Sequence, residues 1–441
     1  PGEARIFGQR SSLFIPNDHV AYPPPAKPSR FDLNQYLLLK PSLAAEAEKE
    51  YSRPLLNLPQ ESAIAHPQGP AVVLAGPGTG KTYVLTNRAK RLVSEILKEN
   101  ERVLAITFTQ KAALELRSRT RDLSGVKAGT IHAFALELLR RYSGETSPAV
   151  ITEKEKIQIL RDLNLFPVQK ASAVAEAIAR FKNNAVKVSP EDEIFSIFEL
   201  YQQKLQQQNL ADYEDLILRA GELLNQHPDF CRMIRQEYKY ILVDEFQDVN
   251  PAQYQFLKTL AADCNNLFVI GDPHQAIYGF RGGSHDIFRI FQSDFPDAAV
   301  YRLTRSYRCT DEVLKAAYEV IQTECNLNGK EDGRRVRIVH HPTERSEAEW
   351  IARTIDEATG GTRFFSYDSG ISTGEGNLKF SDFAILCRTS GQFKAITRAL
   401  DDHALPWQTS REKDWMDNEA IALILDGLKD KTSSLPENPE G

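Results

Sequence analysis

The fold of this chain is decided by Ala71-Val-Val-Leu-Ala-Gly-Pro-Gly-Thr-Gly-Lys-Thr82, an apolar run that leads into glycines and then into a helical pattern through Ile96. A short apolar run that ends in glycine is typical of a buried strand. Similar runs recur at Val103–Thr107, Tyr240–Val243 and Leu267–Ile270, with helical patterns between them. The sequence therefore predicts an α/β fold in which strand–helix–strand units form a parallel sheet.

The glycine-rich stretch fits the phosphate-loop pattern, except that Ala75 replaces the first glycine. Glycines let backbone amides curl around phosphate oxygens, and the following helix directs its positive end at them. The pattern assigns Lys81 to the β- and γ-phosphates and the Thr82 hydroxyl to Mg²⁺. A purely structural strand-to-helix turn is the alternative. The predicted nucleotide-binding residues here are Gly76, Pro77, Gly78, Thr79, Gly80, Lys81 and Thr82.

A second motif supplies the acidic partner of this loop. In Tyr240-Ile-Leu-Val-Asp-Glu-Phe-Gln-Asp248 an apolar strand ends in adjacent acids, which is the Walker B arrangement. Asp244 is predicted to hold Mg²⁺ and Glu245 to polarise the attacking water. Acid pairs are also common on solvated surfaces, which is the alternative for this pair taken alone. Together the two motifs predict a P-loop NTPase that hydrolyses a Mg²⁺-bound nucleoside triphosphate.

The composition excludes several classes of protein. No apolar run approaches the roughly 18 residues that span a bilayer, so we expect no membrane segment. The five cysteines are widely spaced, which excludes a disulfide scaffold or a zinc finger and predicts a reducing, cytoplasmic location. The net charge of −6 argues mildly against a basic nucleic-acid coat protein. Residues 81–121, however, contain ten Lys and Arg against four acids, a local basic track.

The length of 441 residues predicts two to four domains. Val336–Val339 and Phe383–Cys387 are predicted strands of a second α/β domain, and Gly360–Gly376 between them is predicted to be an exposed loop. The predicted segments are 1–53, a proline-containing linker or tail of an upstream domain; 54–112 and 231–298, the two parts of the first α/β domain; 113–230, a helical insertion; 299–408, the partial second domain; and 409–441, the start of a truncated helical insertion.

The Asp244-Glu-Phe-Gln-Asp248 form of the acidic motif resembles that of the UvrD/Rep-like superfamily 1 DNA helicases. The resemblance covers about residues 54–425 and implies two RecA-like domains, the first with a 1B-like insertion, the second incomplete and followed by the start of a 2B-like insertion. Other family motifs are matched, in the family's order, by Leu56–Gln60, Ile106–Ala113, Gly129–Phe134, Asp212–Ile217, Val269–Gly282, Leu303–Arg308 and Asp382–Gln408.

The resemblance assigns further residues to the nucleotide. Gln60 is expected to read the adenine edge and Tyr307 to stack on adenine, with a plain core tyrosine as the alternative. Gln275 is expected to sense the γ-phosphate and to pass its presence to the adjoining DNA-contact loop. Arg308 is expected to come from the second α/β domain as an arginine finger that stabilises charge on the transferring phosphoryl group. A surface salt bridge is the alternative for Arg308.

Single-stranded DNA is held by aromatic stacking and backbone contacts that tolerate any sequence. For the residues given below, the alternatives are that the aromatic side chains fill the interface between domains and that His132 has a structural role. The resemblance places aromatic side chains against bases, an arginine beside them, and hydroxyl and imidazole groups against phosphate or sugar. The expected DNA-contact residues are Thr107, Phe108, Thr109, His132, Tyr213, Tyr278, Phe280 and Arg281.

Several positions depart from the family pattern. Tyr83 replaces an arginine that packs on adenine, and could stack there instead. Ser306 and Gln110 each replace an asparagine. Motif V and motif VI, which carries a second phosphate-contacting arginine, are not found in these 441 residues, and the chain begins at Pro1. We therefore expect a piece of a longer protein or a shortened relative.

The expected function is an ATP-dependent DNA helicase that couples Mg²⁺-ATP hydrolysis to 3′→5′ translocation and duplex unwinding in repair or replication. Its expected cofactors are ATP and Mg²⁺, and its expected partners are single-stranded DNA and single/double-strand junctions, with no membrane. This chain alone is expected to unwind poorly. Two alternatives stay open: an ATP-controlled module that binds DNA or a partner without unwinding, and the motor part of a RecB/AddA-like helicase–nuclease.

Overall fold

The structure is a computed structural model that describes residues 5–8, 57–185, 194–262, 266–276, 286–359 and 378–409. The predicted proline-rich linker (apart from residues 5–8), the predicted loop Gly360–Gly376 and the predicted helical start after residue 409 lie outside these residues. The chain divides into two compact units. One comprises residues 31–336 and the other residues 1–30 with 337–441.

The described strands and helices alternate over much of the chain. The strands are β1 Arg5–Gly8, β2 Ala71–Ala75, β3 Arg102–Thr107, β4 Val126–Thr130, β5 Ala149–Val150, β6 Leu210–Ala211, β7 Tyr238–Val243, β8 Leu267–Gly271, β9 Ala299–Leu303 and β10 Phe383–Leu386. The helices are α1 Leu58–Ile64, α2 Lys81–Arg91, α3 Gln110–Arg119, α4 Ile131–Ser143, α5 Glu153–Asp162, α6 Ala171–Asn183, α7 Phe195–Gln207, α8 Tyr213–Gln226, α9 Pro228–Glu237, α10 Pro251–Ala261, α11 Ile287–Asp294, α12 Asp311–Val320, α13 Glu344–Ala358 and α14 Phe393–Asp402.

The first unit is built on a six-stranded sheet in the order β4-β3-β7-β8-β2-β9, and every neighbouring pair is parallel. Successive residues of a strand enter two different hydrophobic clusters: Val72 lies in one and Val73 in the other. Helices therefore cover both faces, which explains why the inner strands read as nearly continuous apolar runs. The predicted α/β class and the predicted strands in residues 71–75, 103–107, 240–243 and 267–270 are confirmed.

A buried arginine fastens the first helix to this sheet. The Arg88 guanidinium donates hydrogen bonds to the carbonyls of Ile64, His66 and Pro67, and it lies 4.6 Å from the ring centroid of Phe268. Burial lowers the pKa of Arg88 to about 10, so the side chain remains charged at neutral pH. The segment between α1 and β2 is thereby held against α2, the helix that follows the glycine-rich loop.

The helical insertion has a small core of its own. Six buried side chains form it: Ile151, Leu160, Ala175, Ile178, Tyr201 and Leu205. The insertion spans fewer residues than the predicted 113–230. Strand β4 is an edge strand of the main sheet, and α8 contributes to the main core. The sequence Val126-Lys-Ala-Gly-Thr130 contains one large apolar residue, so it carries little strand signal.

The predicted boundary at residue 299 does not coincide with the edge of the sheet. Strand β9 pairs in parallel with β2 (Val72 opposite Val300), and the first unit continues to Val336. The predicted strand at Val336–Val339 is wrong, since this segment is irregular and Ile338 is 76% exposed. Within the described residues no strand lies beside it to complete a ladder.

In the second unit α13 and α14 pack together and β10 lies against them, around Ile351, Ile355 and Leu400. The predicted strand at Phe383–Cys387 is confirmed as β10, which pairs antiparallel with β1. A parallel ladder is not present in the described part of this unit, so its RecA-like sheet stays a prediction. None of the described helices is both long and apolar enough to cross a bilayer.

Candidate functional site

The carboxyl ends of the central strands bring distant stretches of sequence to one edge of the sheet. The glycine-rich loop follows β2, Asp244 follows β7 and Asp272 follows β8. Ligands of open parallel sheets bind at this edge, because the loops that follow the strands converge there. The sheet therefore brings the glycine-rich loop and Asp244, both assigned to the nucleotide and its metal, to the same edge.

The loop after β2 needs glycine at two positions. Gly78 and Gly80 have φ angles of +72° and +87°, in the left-handed region that other residues avoid. A Cβ on Gly78 would clash with the Cβ of Arg308 and would lie 2.7 Å from the Ser306 hydroxyl. Within the loop, the Thr79 hydroxyl donates to the carbonyl of Gly76 at 2.9 Å. Gly80 then caps the amino end of α2, whose first residue is Lys81.

The lysine and threonine of the loop face the two acids after β7. The Lys81 ammonium lies 3.8 Å from a carboxylate oxygen of Glu245. The Thr82 hydroxyl donates to Asp244 Oδ2 at 3.4 Å. The structure therefore brings together the four residues that the sequence assigned to phosphate, metal and water.

The acids at this edge carry more negative charge than their surroundings balance. Burial and the neighbouring Glu245 raise the pKa of Asp244 to about 7. Burial, with a smaller contribution from Glu245, raises the pKa of Asp248 to about 6, and Lys81 offsets this only in part. One oxygen of Asp248 is buried without a hydrogen-bond partner among the described residues. A hydroxyl and carboxylates with unbalanced charge are donors that suit Mg²⁺, so Thr82 and Asp244 fit the predicted ligands.

Glu245 has a strained backbone. Its φ of +50° and ψ of +48° are left-handed, which is uncommon for a residue with a side chain. Its amide donates to Asp244 Oδ1 at 3.0 Å, and its carboxylate accepts from Gln247 Nε2 at 2.7 Å. Strain of this kind persists only where the surroundings hold it, and it concentrates at functional sites.

Gln247 was not singled out from the sequence, although it belongs to the acidic motif. Its side chain is buried, and it bridges two strand ends: Nε2 donates to Glu245, and Oε1 accepts from the Asp272 amide at 3.0 Å. Asp272 in turn accepts from Gln275 Nε2 at 2.7 Å. The predicted γ-phosphate sensor Gln275 is thus joined to Glu245 by a chain of hydrogen bonds. Gly271 lies so close to Gln247 that a Cβ there would clash.

Three residues assigned to the base or the transferring phosphate lie against the loop. Gln60 is buried, and its Nε2 donates to the Thr79 carbonyl at 2.9 Å, so the amide expected to read adenine also holds the loop. Tyr307 is 37% exposed and donates its amide to the Gly78 carbonyl at 2.8 Å. Arg308 follows directly. It belongs to the same compact unit as the loop and not to the second unit, because the chain after β9 returns over the loop. Tyr83 is half-buried in the first turn of α2.

Two of the expected DNA-contact residues meet on neighbouring helices. His132 in the first turn of α4 and Tyr213 at the start of α8 stack with ring centroids 4.0 Å apart. Burial lowers the pKa of His132 to about 4, so its imidazole is neutral at physiological pH. Tyr213 is 48% exposed. A neutral ring stacked on an exposed tyrosine suits contact with a base or sugar better than ionic contact with phosphate.

The other expected DNA-contact residues differ in exposure. Thr107, the last residue of β3, is buried, and its hydroxyl has no hydrogen-bond partner among the described residues. Phe108 is half-buried. Thr109 is exposed and caps α3 by accepting the Ala112 amide at 3.1 Å. Tyr278, Phe280 and Arg281 lie outside the described residues.

The basic track at 81–121 is partly used for structure. Several of its arginines are held by acids or carbonyls of the same unit, so counting charges overstates what this stretch can offer to DNA. These contacts join Arg91 to Glu95, Arg119 to Glu115, Arg102 to Glu237, and Arg117 to the Ala128 carbonyl, in addition to the buried Arg88.

A buried ionic network anchors the start of α8. The Lys182 ammonium lies 2.6 Å from Asp212 Oδ2 and 2.7 Å from Asp215 Oδ1. Asp212 also caps α8, accepting the Asp215 amide at 2.9 Å. A second buried lysine, Lys156, lies 2.9 Å from Glu214. The sequence revealed only the acidic half of this network, because the lysines come from distant helices.

Two family models match the chain. One, described as the UvrD/REP helicase N-terminal domain, matches residues 56–296. The other, described as the UvrD-like helicase C-terminal domain, matches residues 301–430. The first alone covers more than half of the 441 residues and contains the loop, the acids and the stacked His132–Tyr213 pair.

Named relatives agree with the family models. The chain is 31% identical over 383 residues to a probable DNA helicase II homolog of Rickettsia felis, covering 80% of this chain and 56% of the relative. It is 29% identical over 403 residues to the ATP-dependent DNA helicase PcrA of Staphylococcus aureus, covering 85% and 53%. The chain thus spans about half the length of these relatives. With the geometry at the carboxyl edge of the sheet, these matches establish that the chain belongs to the UvrD-like helicase family.

Proposed function

We propose that this chain hydrolyses ATP with Mg²⁺ in response to single-stranded DNA and uses the hydrolysis to translocate along the strand in the 3′→5′ direction. We infer that a complete protein containing this chain unwinds duplex DNA in repair or replication, starting at single/double-strand junctions. The observation that carries the proposal is the pairing of Lys81 and Thr82 with Glu245 and Asp244 at one edge of the sheet. Family membership supports the DNA substrate.

Each residue at this edge of the sheet has its own role in the proposed hydrolysis of ATP. The loop amides and Lys81 bind the phosphates, and Thr82 and Asp244 suit a Mg²⁺ ion, which when bound neutralises charge on the phosphate oxygens. Glu245 orients the attacking water and accepts its proton. Its strained backbone and its bond to Gln247 hold the carboxylate in place for that role. Arg308 lies against the loop, where its guanidinium can stabilise charge on the transferring phosphoryl group.

The DNA side of the proposal rests on the loops beside the nucleotide. The stacked pair His132 and Tyr213 offers an aromatic face, and Phe108 follows β3 at the same edge as Asp244. The chain of hydrogen bonds from Glu245 through Gln247 and Asp272 ends at Gln275, which precedes three further expected DNA contacts, Tyr278, Phe280 and Arg281, in the sequence. ATP binding and DNA binding can therefore influence each other through a few strand ends.

The test is the steady-state ATPase rate of the purified 441-residue chain, with Mg²⁺, in the presence and absence of oligo-dT. We expect stimulation by the single strand. Glu245→Gln should lower kcat by about 10²- to 10⁴-fold, because the proton acceptor is lost, while ATP binding persists. The matched control is Glu237→Gln, in the last residue of α9 just before the same strand, which should leave kcat within about twofold.

Each outcome separates the proposal from its alternatives. DNA binding that responds to ATP without turnover would favour the ATP-controlled binding module. Turnover that neither responds to DNA nor depends on Glu245 would contradict the proposal. Strand separation of a partial duplex is expected to be weak, because motifs V and VI are not found in these 441 residues. A cytoplasmic location is part of the proposal, since a reducing compartment suits thiols that form no disulfide among the described residues, those of Cys231, Cys309, Cys325 and Cys387.

A further inference from the structure

Every carbonyl of the loop from Ala75 to Thr79 accepts a hydrogen bond. Two donors belong to the loop and its helix, namely Lys81 to Ala75 at 3.4 Å and Thr79 to Gly76 at 2.9 Å. Three come from outside. The Ser306 hydroxyl donates to Pro77 at 2.8 Å, the Tyr307 amide to Gly78 at 2.8 Å, and Gln60 Nε2 to Thr79 at 2.9 Å.

This pattern has a direct bearing on phosphate binding. A loop can present its amides to an anion only if its carbonyls point elsewhere, and buried carbonyls need donors of their own. Ser306, Tyr307 and Gln60 supply those donors from two distant parts of the chain. The conformation that suits phosphate is therefore held from outside the loop as well as by its glycines.

Ser306 is the centre of the outer contacts. It is fully buried, and its Oγ both donates to Pro77 and accepts from the Cys309 amide at 3.2 Å and the Arg308 amide at 3.4 Å. Its own amide donates to the Asn328 carbonyl at 2.8 Å. One hydroxyl thus joins the loop to the backbone that carries Tyr307 and Arg308.

We propose that Ser306 is a positioning residue, whose hydroxyl holds the phosphate loop open to phosphate and fixes the Tyr307–Arg308 backbone to it. The inference rests on the proposed function for its consequence, since the phosphate is that of ATP. Movement of the loop on binding or release of phosphate must then move Arg308 as well. The anchor is a single atom, because a hydroxyl oxygen can donate one hydrogen bond and accept others at the same time.

A neighbouring residue provides a matched control. Thr310 is also buried, but its hydroxyl has no hydrogen-bond partner among the described residues. Thr310→Val therefore removes a buried hydroxyl from the same segment without removing a bond. Ser306→Ala removes one donor and leaves the Pro77 carbonyl and two backbone amides unpaired.

The experiment is amide hydrogen exchange of the 441-residue chain, measured without nucleotide. In Ser306→Ala we expect about tenfold faster exchange in both residues 76–82 and residues 307–312, the size of one lost hydrogen bond with its unpaired partners. Thr310→Val should leave both peptides unchanged. Gln60→Met should speed exchange mainly in 76–82, because Gln60 bonds the Thr79 carbonyl directly and reaches Tyr307 only through the side chain of Asn57. Unchanged exchange in 76–82 of Ser306→Ala would overturn the proposal.

A measurement on the unmodified chain covers the case in which Ser306→Ala does not fold. Exchange at increasing urea should show residues 76–82 and 307–312 opening together, with one free energy, whereas separate openings would contradict the anchor. Titration with fluorescent ADP then tests the consequence, and we expect about tenfold weaker binding by Ser306→Ala than by Thr310→Val. If the unmodified chain binds no ADP, the proposed function fails, while the exchange data still decide the role of Ser306.

Discussion

Two clusters of carboxylates in the first unit use charge in opposite ways. At the start of α8, Asp212 and Asp215 share Lys182, and Lys156 lies beside them, so buried acids meet buried amines. Burial alone would raise the pKa of Asp212, but the two ammonium groups more than offset it and hold this pKa below its usual value, whereas burial raises the pKa of Asp215 in spite of Lys182. The Tyr201 hydroxyl donates a further bond to Asp212 at 3.1 Å.

At the edge of the sheet, Asp244, Glu245 and Asp248 share one lysine, Lys81, which lies 3.8 Å from Glu245. The pKa values of Asp244 and Asp248 are raised, Glu245 sits in a left-handed conformation, and one oxygen of Asp248 has no partner among the described residues. The acids of the first cluster are balanced by amines of the protein itself, whereas the second cluster carries the excess negative charge that the proposed Mg²⁺ would balance. Balanced charge thus builds structure here, and unbalanced charge marks the reactive site.

The largest expected effect comes from removing a positive charge from the buried ionic network at the start of α8. Lys182→Met should lower the free energy of unfolding by about 3–5 kcal/mol, because the buried Asp212 and Asp215 lose their nearest cation and keep only Lys156 and Arg219, at 3.9 and 3.6 Å. Urea unfolding followed by far-UV circular dichroism measures the change. The control is Lys258→Met, which breaks a partly exposed pair with Asp294 at 2.9 Å and should cost no more than about 1 kcal/mol. Equal losses in the two variants would contradict the claim that Lys182 balances charge that is buried in the folded state.

A smaller effect is expected at the stacked pair that the network anchors. The folded pKa of His132, about 4, lies below its ordinary value of 6.5, so the unfolded chain binds the extra proton between these values. The contribution of the neutral His132 to the free energy of unfolding is therefore present above pH 6.5 and is lost as the pH falls towards 4. His132→Phe keeps an aromatic ring against Tyr213 and lacks this dependence. Between about pH 7 and about pH 5 the unmodified chain should lose about 2 kcal/mol more than the variant in urea unfolding.

The result that would count against this explanation is an identical pH slope in both proteins. A slope that persists in His132→Phe would arise from other groups and would leave the neutral imidazole unsupported. DNA binding offers a second readout, since a neutral His132 cannot add a titration near pH 6.5 to the affinity for oligo-dT.

The smallest effect is a gain in stability at the reactive cluster. Asp248→Asn should raise the free energy of unfolding by about 1 kcal/mol above about pH 7 in EDTA, since it removes a charge that burial and Glu245 disfavour. The sign follows from the raised pKa: the charged form is penalised in the folded state as the pH rises through 6, and the gain disappears at about pH 4, where the carboxyl is already protonated. Asp286→Asn, at an exposed pair with Arg289, should change stability by less than about 0.5 kcal/mol. A loss of stability in Asp248→Asn would show that its carboxylate is balanced after all.

Much of the first unit could be predicted because its signals are local. The strand, loop and helix at 71–96 lie in one stretch, and the acids follow an apolar strand directly, so residue type and order were enough. Strand β4 was missed because its sequence is weakly apolar, and the predicted strand at 336–339 failed because local apolarity cannot supply a neighbouring strand.

Contacts between distant residues were harder to predict. Lys156 and Lys182 look like solvated residues of amphipathic helices, and only the packing of α5 and α6 against the start of α8 buries them. The bridging role of Gln247 depends on the distance between β7 and β8. The position of Arg308 depends on β9 joining the sheet beside β2, which no local pattern indicates.

The common direction of the strands has a consequence for the length of the connecting loops. At the carboxyl edge, one added residue would displace a group whose partner lies about 3 Å away on another strand end, as with Gln247 and Asp272. At the amino edge the connections only return the chain to the sheet, as at residues 97–101 before β3 and 295–298 before β9. Insertions and deletions should therefore be tolerated at one edge and rejected at the other, so that this domain can vary in length without changing its chemistry.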